Sequence, residues 1–176
     1  MKTAMISGIT GQDGGYLAKF LLEKGYRVVG LYRRGATDTF SKLKEHGIFE
    51  QVELVDFELL EFSNICRLLK KYQPDEFYNL AAQSFVAASW EEPIYTVQAD
   101  GMGVLYILEA IREFPPNTKF YQASTSEMFG KVQDIPQRET TPFDPRSPYG
   151  CAKLLAHWIT TNYRESFGIF ACSGIL

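Results

Sequence analysis

Thr3-Ala4-Met5-Ile6-Ser7-Gly8-Ile9-Thr10-Gly11-Gln12-Asp13-Gly14-Gly15-Tyr16-Leu17 decides the fold. Thr3 to Ser7 is a short apolar run suited to a buried strand, and it stops at Gly8. Gly14 and Gly15 lead into Tyr16, Leu17, Phe20 and Leu21, which read as the apolar stripe of a helix closing at Gly25. Strand, glycine turn and helix together aim backbone N–H groups and a helix N-terminus at a pyrophosphate. Gly8 permits the tight turn, Gly11 the close phosphate approach and Gly14 the helix–strand contact. The spacing is G-x-x-G-x-x-G rather than G-x-G-x-x-G, so the usual dinucleotide fingerprint applies by analogy.

Outward from this unit, strands and helices alternate, which predicts an α/β fold with a doubly wound parallel sheet. Strands are expected at Arg27 to Tyr32, Val52 to Asp56, Glu76 to Leu80, Thr118 to Ala123 and Ile169 to Leu176. Helices are expected at Phe62 to Tyr72, stopped by Pro74, at Pro93 to Phe114, ended by Pro115-Pro116, and at Tyr149 to Phe167. The polar stretch Gly35 to Gly47 reads as mobile or as part of an interface. The chain stops on an apolar residue at a strand end, which looks abrupt.

At 176 residues, 45% hydrophobic and 22% charged, the chain has the size and composition of one globular domain. A formal charge of −3 argues against a nucleic-acid or membrane-surface role. No run reaches transmembrane length and no basic, apolar signal region opens the chain. Cys66, Cys151 and Cys172 are scattered, without metal spacing, and read as buried or incidental thiols of a reducing cytoplasmic compartment. With His46 and His157 as the two histidines, no metal site is expected.

Arg33-Arg34 ends the second strand. Guanidinium forks match phosphate oxygens, so this pair favours a 2′-phosphate and hence NADP over NAD, although a solvated basic pair is the plain alternative. Near the other end, Tyr149-Gly150-Cys151-Ala152-Lys153 sets a tyrosine and a lysine four residues apart. On a helix they share a face, with Cβ atoms about 6 Å apart. Ser147 and Pro148 read as N-cap and first helical residue. An ammonium beside a phenol favours phenolate, so the Tyr149 pKa is expected to fall towards the range where it takes an alcohol proton. Chance placement on one helix face is the competing reading. The expected fifth strand delivers Ser124-Thr125-Ser126-Glu127 to the carboxyl edge, where ligands of such sheets sit. Hydroxyls there suit a substrate oxygen, and Glu127 suits acid–base work if water is excluded. The alternative is a capped turn with a solvated carboxylate.

Taken together, several segments resemble an extended short-chain dehydrogenase/reductase of the nucleotide-sugar type, and most closely the GDP-mannose 4,6-dehydratase family. They are Gly8 to Gly14, Arg33-Arg34, Tyr78-Asn79-Leu80-Ala81-Ala82-Gln83-Ser84, Tyr121 to Glu127, Pro145 to Tyr149 and Trp158 to Ser166, so the likeness spans essentially the whole chain. The resemblance implies an NAD(P)-binding Rossmann-like domain over residues 1–176 that carries the catalytic residues, with the C-terminal substrate-binding domain absent from the chain. It implies catalytic roles for Thr125, Glu127, Tyr149 and Lys153. It also implies NADP contacts from Gly8, Ile9, Thr10, Gly11, Gln12, Asp13, Gly14, Arg33, Arg34, Glu58, Leu59, Leu80, Ala81, Ala82, Gln83, Ser84, Tyr95 and Lys153.

The implied reaction is an internal redox cycle converting GDP-mannose to GDP-4-keto-6-deoxymannose and water. Tyr149, helped by Lys153 and Thr125, takes the 4-hydroxyl proton as hydride leaves C4 for NADP. Glu127 then removes the C5 proton as water leaves from C6, and the hydride returns to C6 with a proton delivered to C5. The family pairs its subunits through the long helices, here Pro93 to Phe114 and Tyr149 to Phe167, with the Arg34 to Thr39 loop reaching a neighbour's cofactor, so a homo-oligomer (dimer or tetramer) is expected. Two departures stand out. Phe57-Glu58-Leu59 occupies the place of the family's Gly-Asp pair, so Glu58 would take over the adenine contact, and the family continues well beyond Leu176. An NDP-sugar epimerase or reductase, which would not need Glu127, and a non-catalytic NADP-binding fragment are the competing functions.

Overall fold

The computed structural model describes residues 1–114 and 117–176; the proline pair expected to end the long helix, Pro115-Pro116, lies outside the described residues. Among the described residues six strands form one parallel sheet: β1 (Thr3–Ser7), β2 (Arg27–Tyr32), β3 (Glu53–Asp56), β4 (Glu76–Asn79), β5 (Lys119–Ser124) and β6 (Ala171–Ile175). Their spatial order is β3-β2-β1-β4-β5-β6, so the winding reverses at the seam between β1 and β4. Ser7 at the end of β1 is level with Leu31 on one side and Asn79 on the other. Open parallel sheets bind ligands at such a reversal, outside the carboxyl ends of the strands.

The helices are α1 (Gln12–Glu23), α2 (Ser41–Glu45), α3 (Phe62–Tyr72), α4 (Ala88–Glu91), α5 (Pro93–Val97), α6 (Gly103–Glu113) and α7 (Pro148–Phe167). Met5, Val29, Leu31, Phe77 and Phe120 point to one face, where α3, α6 and α7 cover them. Ala4, Ile6 and Val28 point to the other, under α1 and α2. Strand residues therefore alternate between two apolar layers, as a sheet buried on both faces requires.

Four observations correct or extend the reading. The α1 stripe is out of phase with the reading, because Gly14, Gly15, Ala18 and Leu21 are buried while Tyr16 and Phe20 are about half exposed. The helix approaches the sheet so closely at its N-terminal end that small residues make the contact, and Tyr16 stacks on His46 instead. The long helix expected from Pro93 is helical throughout but widens into a π turn at Gln98–Met102 between α5 and α6. The polar stretch from Gly35 contains α2, and Cys151 and Cys172 are exposed rather than buried. No helix among the described residues is long and apolar enough to cross a membrane.

Candidate functional site

The chain leaves β1 through Gly8, whose φ of +73° lies in the left-handed region. A Cβ there would lie 2.8 Å from the Leu80 carbonyl carbon, so the first turn and the β4 exit meet backbone to backbone. Gly11 N-caps α1 without a side-chain bond, leaving the first-turn N–H groups of the helix facing outward. A Cβ on Gly14 would collide with the Gly8 carbonyl and lie 2.8 Å from the Ile9 Cα. Gly8 and Gly14 thus supply the turn and the close helix–strand contact that their spacing suggested, while Gly11 leaves the helix end open.

Beneath this turn runs a buried polar ladder that the sequence reading missed. Ser7 Oγ donates to Asn79 Oδ1 at 2.6 Å, and Asn79 Nδ2 donates to Gln122 Oε1 at 2.8 Å. Ser7 Oγ in turn accepts the Ala81 N–H at 3.3 Å. All three side chains are buried, and together they set the height of the β4 exit across three strands.

A cleft of about 440 Å³ opens along this edge. Twelve of the expected cofactor residues line it: Gly8, Thr10, Gly11, Arg33, Glu58, Leu59, Leu80, Ala81, Ala82, Gln83, Ser84 and Tyr95. Ile9 instead fills the core under β2, while Gln12 and Asp13 are exposed on the first turn of α1. The two arginines part company. Arg33 Nη1 donates to the Tyr95 hydroxyl at 2.6 Å across the cleft, whereas Arg34 pairs with Asp56 at the end of β3. Glu58 faces the cleft while its Oε1 accepts the Leu60 N–H at 3.3 Å.

Thr125, Glu127, Tyr149 and Lys153 gather beside it on two elements. Thr125 N-caps the 3₁₀ turn Ser126–Met128 that follows β5, with Oγ1 accepting the Glu127 N–H at 3.2 Å. Ser147 caps α7 as expected, its Oγ accepting the Gly150 N–H at 3.0 Å, with Pro148 in the first turn. Gly150 lets the two elements touch, since a Cβ there would lie 2.8 Å from the Glu127 carbonyl oxygen. Tyr149 and Lys153 are buried, with the Lys153 ammonium 6.0 Å from the Tyr149 ring centroid.

The electrostatics differ from the expectation that the Tyr149 pKa falls. Burial pushes the phenol up; the Thr125 hydroxyl pulls the other way, but the charges of Asp100 and Glu127 add to the rise. Burial also lowers the Lys153 pKa, against the attraction of Asp100. Asp100, in the π turn, is the residue that sequence reasoning did not find. Its signal was an acid set between the small residues Ala99 and Gly101, ahead of the apolar run Val104 to Leu108. Glu127 is exposed, so the described residues do not seal it from water. One turn further along α7, His157 Nδ1 meets Ser124 Oγ at 3.1 Å, tying the end of β5 to the helix.

Comparison with known proteins agrees with this geometry. A family profile described as GDP-mannose 4,6 dehydratase matches residues 5–176. The chain is 56% identical over 183 residues to GDP-mannose 4,6-dehydratase of Yersinia enterocolitica, covering 100% of this chain and 49% of that protein. It is 55% identical over 182 residues to the GDP-mannose 4,6-dehydratase of Vibrio cholerae serotype O1, covering 99% of this chain and 49% of that protein. UDP-glucose 4-epimerase from Brucella ovis in complex with NAD superimposes with a TM-score of 0.84 over 99% of this chain and 51% of that one. At 21% identity that likeness shows the fold alone. The chain spans about half the length of the curated relatives it matches. With the profile covering nearly every residue and curated relatives more than half identical, the chain belongs to the GDP-mannose 4,6 dehydratase family.

Proposed function

We propose that the chain carries the cofactor-binding and catalytic half of an NADP-dependent GDP-mannose 4,6-dehydratase. The observation that carries this reading is the meeting of Thr125, Glu127, Tyr149 and Lys153 beside a glycine-walled cleft at the carboxyl edge of the sheet. The cleft suits a dinucleotide: backbone without Cβ atoms at Gly8 and Gly11, an outward-facing helix N-terminus and small residues at Ala81 and Ala82. A bound nicotinamide dinucleotide supplies hydride exchange, taking hydride from the sugar and returning it.

The chain's own residues then move protons. Tyr149 takes the 4-hydroxyl proton, with the Lys153 ammonium and the Thr125 hydroxyl stabilising the phenolate that burial otherwise opposes. Glu127 removes the C5 proton and delivers a proton to the hydroxyl leaving C6, so its exposure requires a further cover during turnover. Arg33 favours a 2′-phosphate, which supports NADP. Self-association is part of the reading: Trp90, Ile94 and Val97 on α4 and α5 and Leu155 and Trp158 on α7 present exposed apolar side chains. Scattered, unbridged cysteines at Cys66, Cys151 and Cys172 support a reducing, cytoplasmic setting.

Joining the chain to the C-terminal half of the Yersinia enterocolitica relative tests the proposal. With NADP and GDP-mannose, mass spectrometry should show a product lighter by one water, and Glu127→Gln should abolish that loss. A joined protein that binds NADP and returns a C4 epimer without losing water would overturn the dehydratase reading in favour of an epimerase.

A further inference from the structure

Asp100 sits in the π turn at 2% exposure. Its Oδ1 accepts the Gln83 backbone N–H at 2.7 Å, while Oδ2 is buried without a hydrogen-bond partner. A half-satisfied carboxylate at this depth costs stability and calls for a compensating charge. The charge facing it is Lys153, itself 4% exposed, on α7. The π turn lies close against that helix: a Cβ at Gly101 would stand 2.8 Å from Leu155 Cδ2 and 3.6 Å from the Ala152 carbonyl. Among the described residues the two charges form no direct ion pair, so they act on each other through space. Tyr149, with Glu127 beside it, is the other titratable group of α7 that feels Asp100.

The partner on the other side is a knot. Gln83 Nε2 donates to Thr96 Oγ1 and to the Phe85 carbonyl, both at 3.2 Å, and Gln83 Oε1 accepts the Phe85 N–H at 2.7 Å. Residues 83–85 are thereby bound to α5 and the π turn, and Gln83 walls the cleft.

We propose that Asp100 is a positioning residue with two outputs: Oδ1 fixes the β4 exit at Gln83, and its charge keeps Lys153 an ammonium beside Tyr149. Without the carboxylate, the burial that lowers the Lys153 proton affinity goes unopposed, and a neutral amine cannot favour a phenolate. The same charge opposes the Tyr149 phenolate, which makes retention of the ammonium more important. One residue of the π turn thus couples the cleft wall to the proton-handling pair. The inference rests on the reading of Tyr149 and Lys153 as that pair.

Lysine titration by NMR on the ¹³C-lysine-labelled chain tests it without requiring turnover. Asp100→Asn keeps an Oδ1 acceptor for Gln83 and removes the charge. The Lys153 proton affinity should fall at least tenfold while the Gln83 amide exchanges as in the parent. Asp100→Ala should lower the lysine affinity likewise and speed Gln83 exchange at least tenfold. By linkage, Lys153→Met should raise the proton affinity of Asp100 by the same factor, which decides the matter should Asp100→Asn fail to fold. An unmoved Lys153 midpoint in folded Asp100→Asn, or an unmoved Asp100 midpoint in Lys153→Met, overturns the charge role; unchanged Gln83 exchange in Asp100→Ala overturns the anchoring role. Failure of the joined protein to dehydrate GDP-mannose would leave these titrations standing, so the two readings fail separately.

Discussion

Replacing Gly150 with alanine sets two ordinary effects against each other. Helix propensity favours alanine over glycine by about 1 kcal/mol inside a helix, and Gly150 lies in the first turn of α7. The added Cβ, however, would stand 2.8 Å from the Glu127 carbonyl oxygen, 3.1 Å from Pro145 Cβ and 3.3 Å from Ser147 Oγ. The nearest of these is backbone, so no rotamer change relieves it; the Ser126–Met128 turn or α7 itself has to move. Overpacking costs about 1–3 kcal/mol, and an unyielding backbone contact puts this site in the upper part of that range, about 2–3 kcal/mol, so after the gain in propensity the net change is a loss of about 1–2 kcal/mol. For a domain of this size that lowers Tm by about 2–8 °C. Differential scanning calorimetry should show this drop for Gly150→Ala. Gly35→Ala, with open space around its Cβ, should stay near the parent. In the joined protein, dehydration should also slow by about tenfold or more, because the turn carrying Glu127 is pushed from Tyr149. A Gly150→Ala chain as stable as the parent, or more so, would show that Glu127 is not held against α7 as described.

Asp100, its carboxyl pushed up to about 6 by burial, binds its proton more tightly folded than unfolded, so its contribution to stability falls as pH rises from 3.8 through about 6. At ~1.36 kcal/mol per unit the loss approaches about 3 kcal/mol. Urea unfolding at pH 4 and pH 7 should therefore show a steeper decline for the parent than for Asp100→Asn. Ser147→Ala removes the acceptor for the Gly150 N–H and should cost about 1 kcal/mol in calorimetry, with α7 still formed by circular dichroism. NADP should bind about tenfold more tightly than NAD, a difference of about 1.4 kcal/mol in titration calorimetry. Arg33→Ala should erase most of that margin and Arg34→Ala less of it, since Arg34 is engaged by Asp56; equal affinities in the parent would remove the preference.

Strand and helix positions were legible because apolar runs, glycines and prolines punctuate this chain locally. β1 and β2 begin and end at the residues read from the sequence, and the Ser147 cap and Pro148 start of α7 formed as expected. The phase of α1 was not legible, because its sheet-facing residues are mostly glycine and alanine, which carry little apolar signal compared with Tyr16 and Phe20. Glu127, Tyr149 and Lys153 could be singled out by type and spacing and Thr125 only through the family resemblance, and the fold brings the four together. The ladder of Ser7, Asn79 and Gln122 could not be found that way. Its members come from β1, β4 and β5, and only the sheet order and register make them neighbours. Asp100 was hidden for a related reason: a single acid in a helix reads as solvent-facing until the turn that carries it is seen pressed between Gln83 and α7.

The reversal of winding between β1 and β4 also bears on how the chain is made. β1 is synthesised first and acquires β2 as soon as Tyr32 has emerged, but its other neighbour is complete only at Asn79. At about 5–20 residues per second, the interval is roughly 2–10 s. Throughout it, Ala4, Met5 and Ile6, which have no exposure in the finished sheet, belong to a strand with one bare edge. A segment that ends with no exposure thus waits seconds for its second neighbour, and the ribosome-bound chain is open to mispairing there before the first half of the molecule has been translated.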